Sequence, residues 1–238
     1  MAVNNTLVKP KANNKAVTFM AGEEQINLTP DMVKKYLISG DSSAVTDQEI
    51  VMFMMMCKGN KLNPWNKEAY CIKYGTQPAT MVVGKEAYMK RANAHPQYDG
   101  MDDGIVVLVK ETGEMIYRKG AITVEGEQLI GGWAEVYRKD RSRSTRVEVS
   151  FSEYAGRKKD GSLNGQWSSK PATMIRKVAQ VQALRETFPD TLGGLYTADE
   201  QGFEEPTDMI IEQPAEVATD PVKQQTVTNA PDNDEILF

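Results

Sequence analysis

The spacing of apolar positions divides the chain into stretches of different character. Residues 1–25 show no periodicity and are rich in Asn, Lys and Ala, which predicts a mobile N-terminal arm. Order is expected from "NLTPDMVKKYLISG", a helix with Thr29 as N-cap, Pro30 in its first turn, Asp31 favouring the dipole and Gly40 as its stop. "TDQEIVMFMMMCKGN" predicts a second helix, capped by Thr46 and Glu49 at capping-box spacing and ended by Gly59 or Asn60. Its run from Val51 to Met56 is apolar nearly all round, the pattern of a buried core helix.

The period then shortens. "EAYCIKYG", "ATMVVG", "GIVVLVK", "EMIYRKG", "AITVEG", "GGWAEVYRKD" and "TRVEVSFSEYA" are β-rich runs separated by Gly or charged turns. "KEAYMKRANAHP" reads as a helix ended near Pro96, and a long helix is expected over Pro171–Phe188. Helices, then strands interrupted by a helix, then a helix again give an α+β fold with a mainly antiparallel sheet. The expected organisation is an arm over 1–25, one folded domain over 26–200, and a disordered acidic tail over 201–238.

Charge sharpens this picture. The net charge is −5, yet positions 138–185 hold 12 Lys/Arg against 4 Asp/Glu, and positions 199–238 hold one Lys against 11 Asp/Glu. A basic block followed by an acidic tail suggests a polyanion site and a separate interaction arm, with solvated surface as the plain alternative. No apolar run reaches the roughly 18–20 residues of a membrane helix. With no signal-like apolar core either, a cytoplasmic protein without membrane contact is expected. Cys57 and Cys71 match neither a disulfide framework nor a zinc pattern, and are expected to be reduced and semi-buried.

Catalytic constellations are scarce. His95 is the only histidine, beside Pro96 at an expected helix end. "VVGKEAY" lacks the upstream Gly and downstream hydroxyl of a phosphate-binding P-loop. Asp99, Asp102 and Asp103, with Glu135 on a later strand, are a carboxylate set through which Mg²⁺ could enter as in a nuclease; the plain reading is an Asp- and Gly-rich turn. No cofactor is otherwise called for.

The basic residues fit nucleic-acid chemistry better. Arg138, Lys139, Arg141 and Arg143 fall on an expected hairpin, placed to neutralise successive phosphates. Arg157, Lys158 and Lys159 form a Gly-punctuated loop near Trp167 and Lys170, the combination of cations and aromatic surface that serves sequence-tolerant single-strand binding. Trp167 either stacks on a base or packs in the core. At about 100° per residue, Arg176, Gln180, Ala183 and Thr187 share one stripe of the long helix with Lys177 beside it, opposite Met174, Val178, Val181 and Phe188. One face is thus expected to pack while the other offers cations.

"KLNPWNKEAYC", "YDGMDD", "AEVYRKD" and "GQWSSKPATMIRKVAQVQALRETFP…GGLY" occur in this order over roughly residues 28–200. Together they resemble the phage single-strand annealing recombinases, the Redβ (Bet) branch of the RecT superfamily. The resemblance implies ATP-independent annealing of complementary single strands through an annealed duplex intermediate. It also implies assembly as rings or helical filaments and a partner 5′→3′ exonuclease. The implied fold is a small β-sheet crossed by helices, with a basic groove following the DNA backbone. Its DNA contacts would be Arg157–Lys159, Lys170, Arg176, Lys177 and Gln180, with Arg185 and Arg138. A non-annealing coat protein, a Mg²⁺-dependent nuclease and a protein-interaction scaffold are the competing readings. The final "DNDEILF", with Asp234, Glu235, Ile236, Leu237 and Phe238, resembles the acidic tip of bacterial single-stranded-DNA-binding proteins. It implies docking to host partners of that protein, or folding back onto the basic groove.

Overall fold

The computed structural model describes residues 16–158 and 160–202. Order begins earlier than the sequence suggests. Strands β1 (Val17–Ala21) and β2 (Glu24–Leu28) pair as an antiparallel hairpin. Their alternation buries Phe19, Ala21, Ile26 and Leu28 on one face, a period-2 signal hidden by short strands and polar partners. The expected arm therefore loses its last residues to this hairpin, and positions 1–15 lie outside the described residues.

Thr29 caps the short helix α1 (Pro30–Met32), its hydroxyl accepting from the Met32 amide at 3.2 Å. A π-helical turn over Val33–Leu37 follows, and Ile38–Gly40 then forms strand β3. Gly40 thus ends a strand and not the helix. Its φ of +88° lies in the left-handed region, and a Cβ there would meet the Lys73 carbonyl at 2.2 Å.

Helix α2 (Asp47–Gly59) has the full capping box expected of Thr46 and Glu49. It is not buried all round: Ile50, Phe53, Met54 and Cys57 face the core, whereas Val51, Met52 and Met55 are exposed. Strand β4 (Ala69–Lys73) pairs in parallel with β3 and antiparallel with β5 (Thr80–Val83). Helix α3 (Lys85–Ala94) follows, ending at His95. The His95 ring lies 4.5 Å from that of Phe188, and its Nδ1 accepts from the Gln97 amide.

The four-stranded sheet has the order β7-β6-β8-β9, all antiparallel, from β6 (Tyr98–Val109), β7 (Met115–Lys119), β8 (Glu127–Arg138) and β9 (Thr145–Ser150). "AITVEG" is a loop with Ile122 exposed, because Glu127 turns the chain by accepting from the Val124 amide. "SEYA" leaves the sheet as the short helix α4 (Phe151–Tyr154). Helices α5 (Gly165–Ser169), α6 (Pro171–Thr187) and α7 (Pro189–Leu192) complete the fold. It is α+β with small, mainly antiparallel sheets. One core cluster joins the hairpin, α2, α3, α6 and the four-stranded sheet. Among the described residues no helix is long and apolar enough to cross a membrane.

One glycine seats α6. A Cβ on Gly132 would meet the Ile175 carbonyl at 2.7 Å, whereas one on Gly131 would meet Val149 O of the neighbouring strand β9 at 2.5 Å. The helix backbone therefore lies directly on β8, and nearly every face of α6 is covered: Met174, Ile175, Val178, Ala179, Gln180, Val181, Ala183, Leu184 and Thr187 are buried. The half-exposed helix expected from the wheel is corrected accordingly.

Cys57 and Cys71 are fully buried thiols, not semi-buried ones. Burial pushes both upward, Cys71 to about 12, so they are protonated and poorly reactive.

Glu49 does more than cap α2. It pairs with buried Lys73 at 2.8 Å and accepts from the Ala79 amide at 2.6 Å, tying α2 to the three-stranded sheet. The Lys73 ammonium, with the Thr46 and Ala79 amides, lowers its pKa to about 2. A depressed carboxyl stabilises above its unfolded pKa, near 4.5, and loses that contribution as pH falls towards 2. Glu49→Gln should cost about 2–3 kcal/mol at neutral pH and flatten the acid limb of the stability curve, measured by urea unfolding from neutral to acid pH.

Candidate nucleic-acid interface

The "NPWNKE" turn sets one wall of the site. The Asn63 side chain caps the 3₁₀ turn Pro64–Asn66 by accepting from the Trp65 amide at 3.0 Å, and Lys67 then adopts φ +59°. Gly84 lies against this turn: a Cβ there would meet the Lys67 carbonyl at 2.3 Å. Glycine at the strand-to-helix junction therefore brings Lys67 beside Lys85. It also leaves the N-terminus of α3 without a side-chain cap.

The opposite wall is the N-terminal half of α6. Thr173, Arg176, Lys177 and Gln180 face Lys67, Tyr70, Gly84, Lys85 and Glu86 across an open groove of about 230 Å³. Lys170, three residues before Thr173, precedes the same face and is exposed. Burial, with Arg176 and Lys177 nearby, holds the Lys85 ammonium below the usual lysine range.

Carboxylates lie beneath the α6 cations. Arg176 pairs with Asp103, which also accepts from Gln180 Nε2 at 2.7 Å. Lys177 Nζ is 2.6 Å from Asp199, whose side chain is completely buried. These pairs fix the direction of the cations and offset part of their charge. Lys67 and Lys85 form no ion pair among the described residues, so they are the groove cations whose ammonium groups are not held by a carboxylate, although Glu86 and Asp103 favour the charged form of Lys85 from nearby. Sequence reasoning passed over both. The usable signal was a Gly-Lys pair at a strand-to-helix junction, dismissed for lacking the rest of a P-loop.

The other expected contacts are distributed unevenly. Arg157 and Lys158 are exposed on a small hairpin closed by the Arg157–Leu163 bridge, where Arg157 Nη1 donates to the Gly161 carbonyl at 2.9 Å. Lys159 and the segment Asp234–Phe238 lie outside the described residues. Trp167 is wholly buried and packs edge-on to Phe151, with ring centroids 5.7 Å apart, which resolves the choice between stacking and packing in favour of the core. Gln180 is buried and its Nε2 donates to Asp103. Arg185 bonds Glu200 and the Leu195 carbonyl and lies over the Tyr196 ring. Arg138 bonds Asp140 and the Thr187 carbonyl and lies over Phe188. Both arginines clamp α6, leaving little of either for a ligand.

Lys139, Arg141 and Arg143 project from the turn between β8 and β9. Arg141 and Arg143, with Asp99 and Tyr137, border a second cavity of about 510 Å³. Arg138 marks this end at Thr187, 11 residues along α6 from Arg176, or about 16 Å at 1.5 Å per residue. The cations thus form two groups, not one surface.

The expected Asp-rich turn is instead part of β6, where a register shift between Tyr98 and Met101 keeps the strand paired. Successive strand residues point to opposite faces. Asp102 bonds Lys119 and Tyr137 on one face, and Asp103 bonds Arg176 and Gln180 on the other. Divided in this way, the two carboxylates cannot share a metal ion.

A family model described as the RecT family matches residues 23–215. The recombination protein bet of Escherichia phage lambda is 25% identical over 204 residues, 82% of this chain and 66% of that protein. The uncharacterized protein UU154 of Ureaplasma parvum serovar 3 is 29% identical over 146 residues, 61% of this chain and 56% of that protein. The chain spans less than two thirds of the length of either relative.

Asp103→Ala should leave Arg176 and Gln180 without their shared acceptor. The expected loss is about 1–2 kcal/mol in urea unfolding, with Asp102→Ala, whose ion-pair partner Lys119 is exposed, costing less than Asp103→Ala in the same measurement.

Proposed function

The chain belongs to the RecT family, and on that premise we propose that it binds single-stranded DNA and anneals complementary strands in recombination, without ATP. The observation that carries this reading is the groove between α3 and α6, where Lys67 and Lys85, which form no ion pair among the described residues, stand beside the directed cations Arg176 and Lys177. Cations on fixed backbone elements contact phosphates, which position a strand without reading its sequence. Bases turned away from such a wall remain free to test a second strand by Watson–Crick pairing.

Buried Trp167 removes the indole from the set of stacking surfaces, so retention rests on phosphates. Exposed Lys170 precedes the α6 face of the groove, and the β8–β9 turn with Arg141 and Arg143 is a separate cationic group. The annealing chemistry makes and breaks no covalent bond. Assembly into rings or filaments, a partner exonuclease and host partners for the C-terminal acidic tip belong to the same proposal. The recombination role is supported by the likeness to the lambda protein.

Lys67→Ala and Lys85→Ala test the site more cleanly than Arg176→Ala, which also strips Asp103 of its partner. Each should weaken binding to single strands of any sequence and reduce the log–log salt slope by about 0.7 per lost phosphate contact. Quenching of two complementary dye-labelled oligonucleotides, followed without ATP, reads annealing directly. Acceleration by the unaltered protein and its loss in the Lys67→Ala/Lys85→Ala variant are expected. Tight binding without acceleration would leave a coat protein.

A further inference from the structure

The chain leaves the described fold beside the groove. Segment 195–202 runs along the groove's edge: the Tyr196 carbonyl accepts from the Val83 amide, and Ala198 packs with Tyr70, Ile72 and Val82. Its first two carboxylates are already seated on α6 cations, Asp199 on Lys177 and Glu200 on Arg185, both at 2.6 Å. After the 3₁₀ turn Asp199–Gln201, Gly202 turns the backbone through φ +76°. The next residues are "FEEPTDMIIEQPAE", which continue the acidic series with Glu204, Glu205, Asp208, Glu212 and Glu216. Positions 203–238 hold nine Asp/Glu against the single Lys223.

We propose that the acidic segment 204–216 docks in the groove between α3 and α6 when no strand is bound, placing its carboxylates on Lys67 and Lys85, and is displaced by nucleic-acid phosphates. This inference rests on the reading of the groove as a polyanion site. Reach and charge both allow it. Five to nine residues separate Asp199 from Glu204 and Asp208, a span of roughly 16–30 Å when extended. Tethering so close to the groove gives an effective concentration on the order of millimolar, enough for weak exposed ion pairs to be occupied. Lys67 and Lys85 are the groove cations left without a carboxylate, and the segment supplies carboxylates next in order along the chain. The device would raise the threshold for holding a strand, so that single short contacts fail and longer strands succeed.

The test uses the full chain and the variant Glu204→Gln/Glu205→Gln/Asp208→Asn, with no folded core residue altered. In DNA-free protein, brief acylation by an amine-reactive ester, read by mass spectrometry, should modify Lys67 and Lys85 at least about twofold faster in the variant. Unchanged labelling would overturn docking whatever the protein does with DNA. With a labelled oligothymidylate of about 30 nucleotides, the variant should bind roughly threefold to tenfold tighter at about 50 mM salt, the gap closing by about 200 mM. In a Lys67→Ala/Lys85→Ala background that gain should vanish. A gain that persists there would mean general charge repulsion and would sink the proposal. Failure of the unaltered protein to bind the oligonucleotide would count against the groove reading itself, which the labelling experiment addresses separately.

Discussion

The close approach of one helix backbone to one strand governs most of what this molecule presents. Gly132 removes the side chain that would hold α6 away from β8, and the helix settles with its main chain on the sheet. A Cβ at this position would have to displace the Ile175–Arg176 backbone, so the separation is set by covalent geometry. α3, α5 and α7 then cover the remaining faces of α6. A helix so enclosed cannot carry charged side chains unless each is met by a counter-charge or a carbonyl.

That requirement explains the distribution of the acidic residues. Asp103 reaches Arg176 from β6, Asp199 reaches Lys177 from the segment after α7, and Glu200 reaches Arg185 from the same segment. The chain thus folds its exit segment back along α6 to neutralise the helix. Cations that would wander over a solvated face are held in direction, and the groove beside α3 inherits their orientation. The desolvation of both partners offsets much of their attraction, so such pairs direct the side chains of the site more than they add to net stability, although removal of one partner leaves a partly buried charge and is costly.

Local chemistry was legible in the sequence and long-range pairing was not. Thr29, Thr46 with Glu49, and the stop at His95–Pro96 act through neighbours within a few residues, and each occurs as read. The β1–β2 hairpin was missed because two five-residue strands next to an Asn- and Lys-rich stretch look like an arm until Phe19, Ile26 and Leu28 find the core. The wheel of α6 correctly grouped Arg176 with Gln180. It could not show that Asp103, 73 residues earlier than Arg176, would occupy that face. Trp167 read equally well as a stacking or a packing residue, and Phe151 decided the matter from outside the basic loop. Lys67 and Lys85 become neighbours only because Gly84 admits the Lys67 carbonyl, a contact that no periodicity records.

The central claim is that a single strand is held in the groove between α3 and α6. The most direct measurement is photo-crosslinking of an oligonucleotide carrying a photoreactive base analogue, followed by mass spectrometry of the linked peptides. The account predicts adducts in peptides spanning Lys67, Lys85 and Lys170–Lys177. Adducts confined to the β8–β9 turn around Arg141 and Arg143, with the groove peptides unmodified, would contradict it.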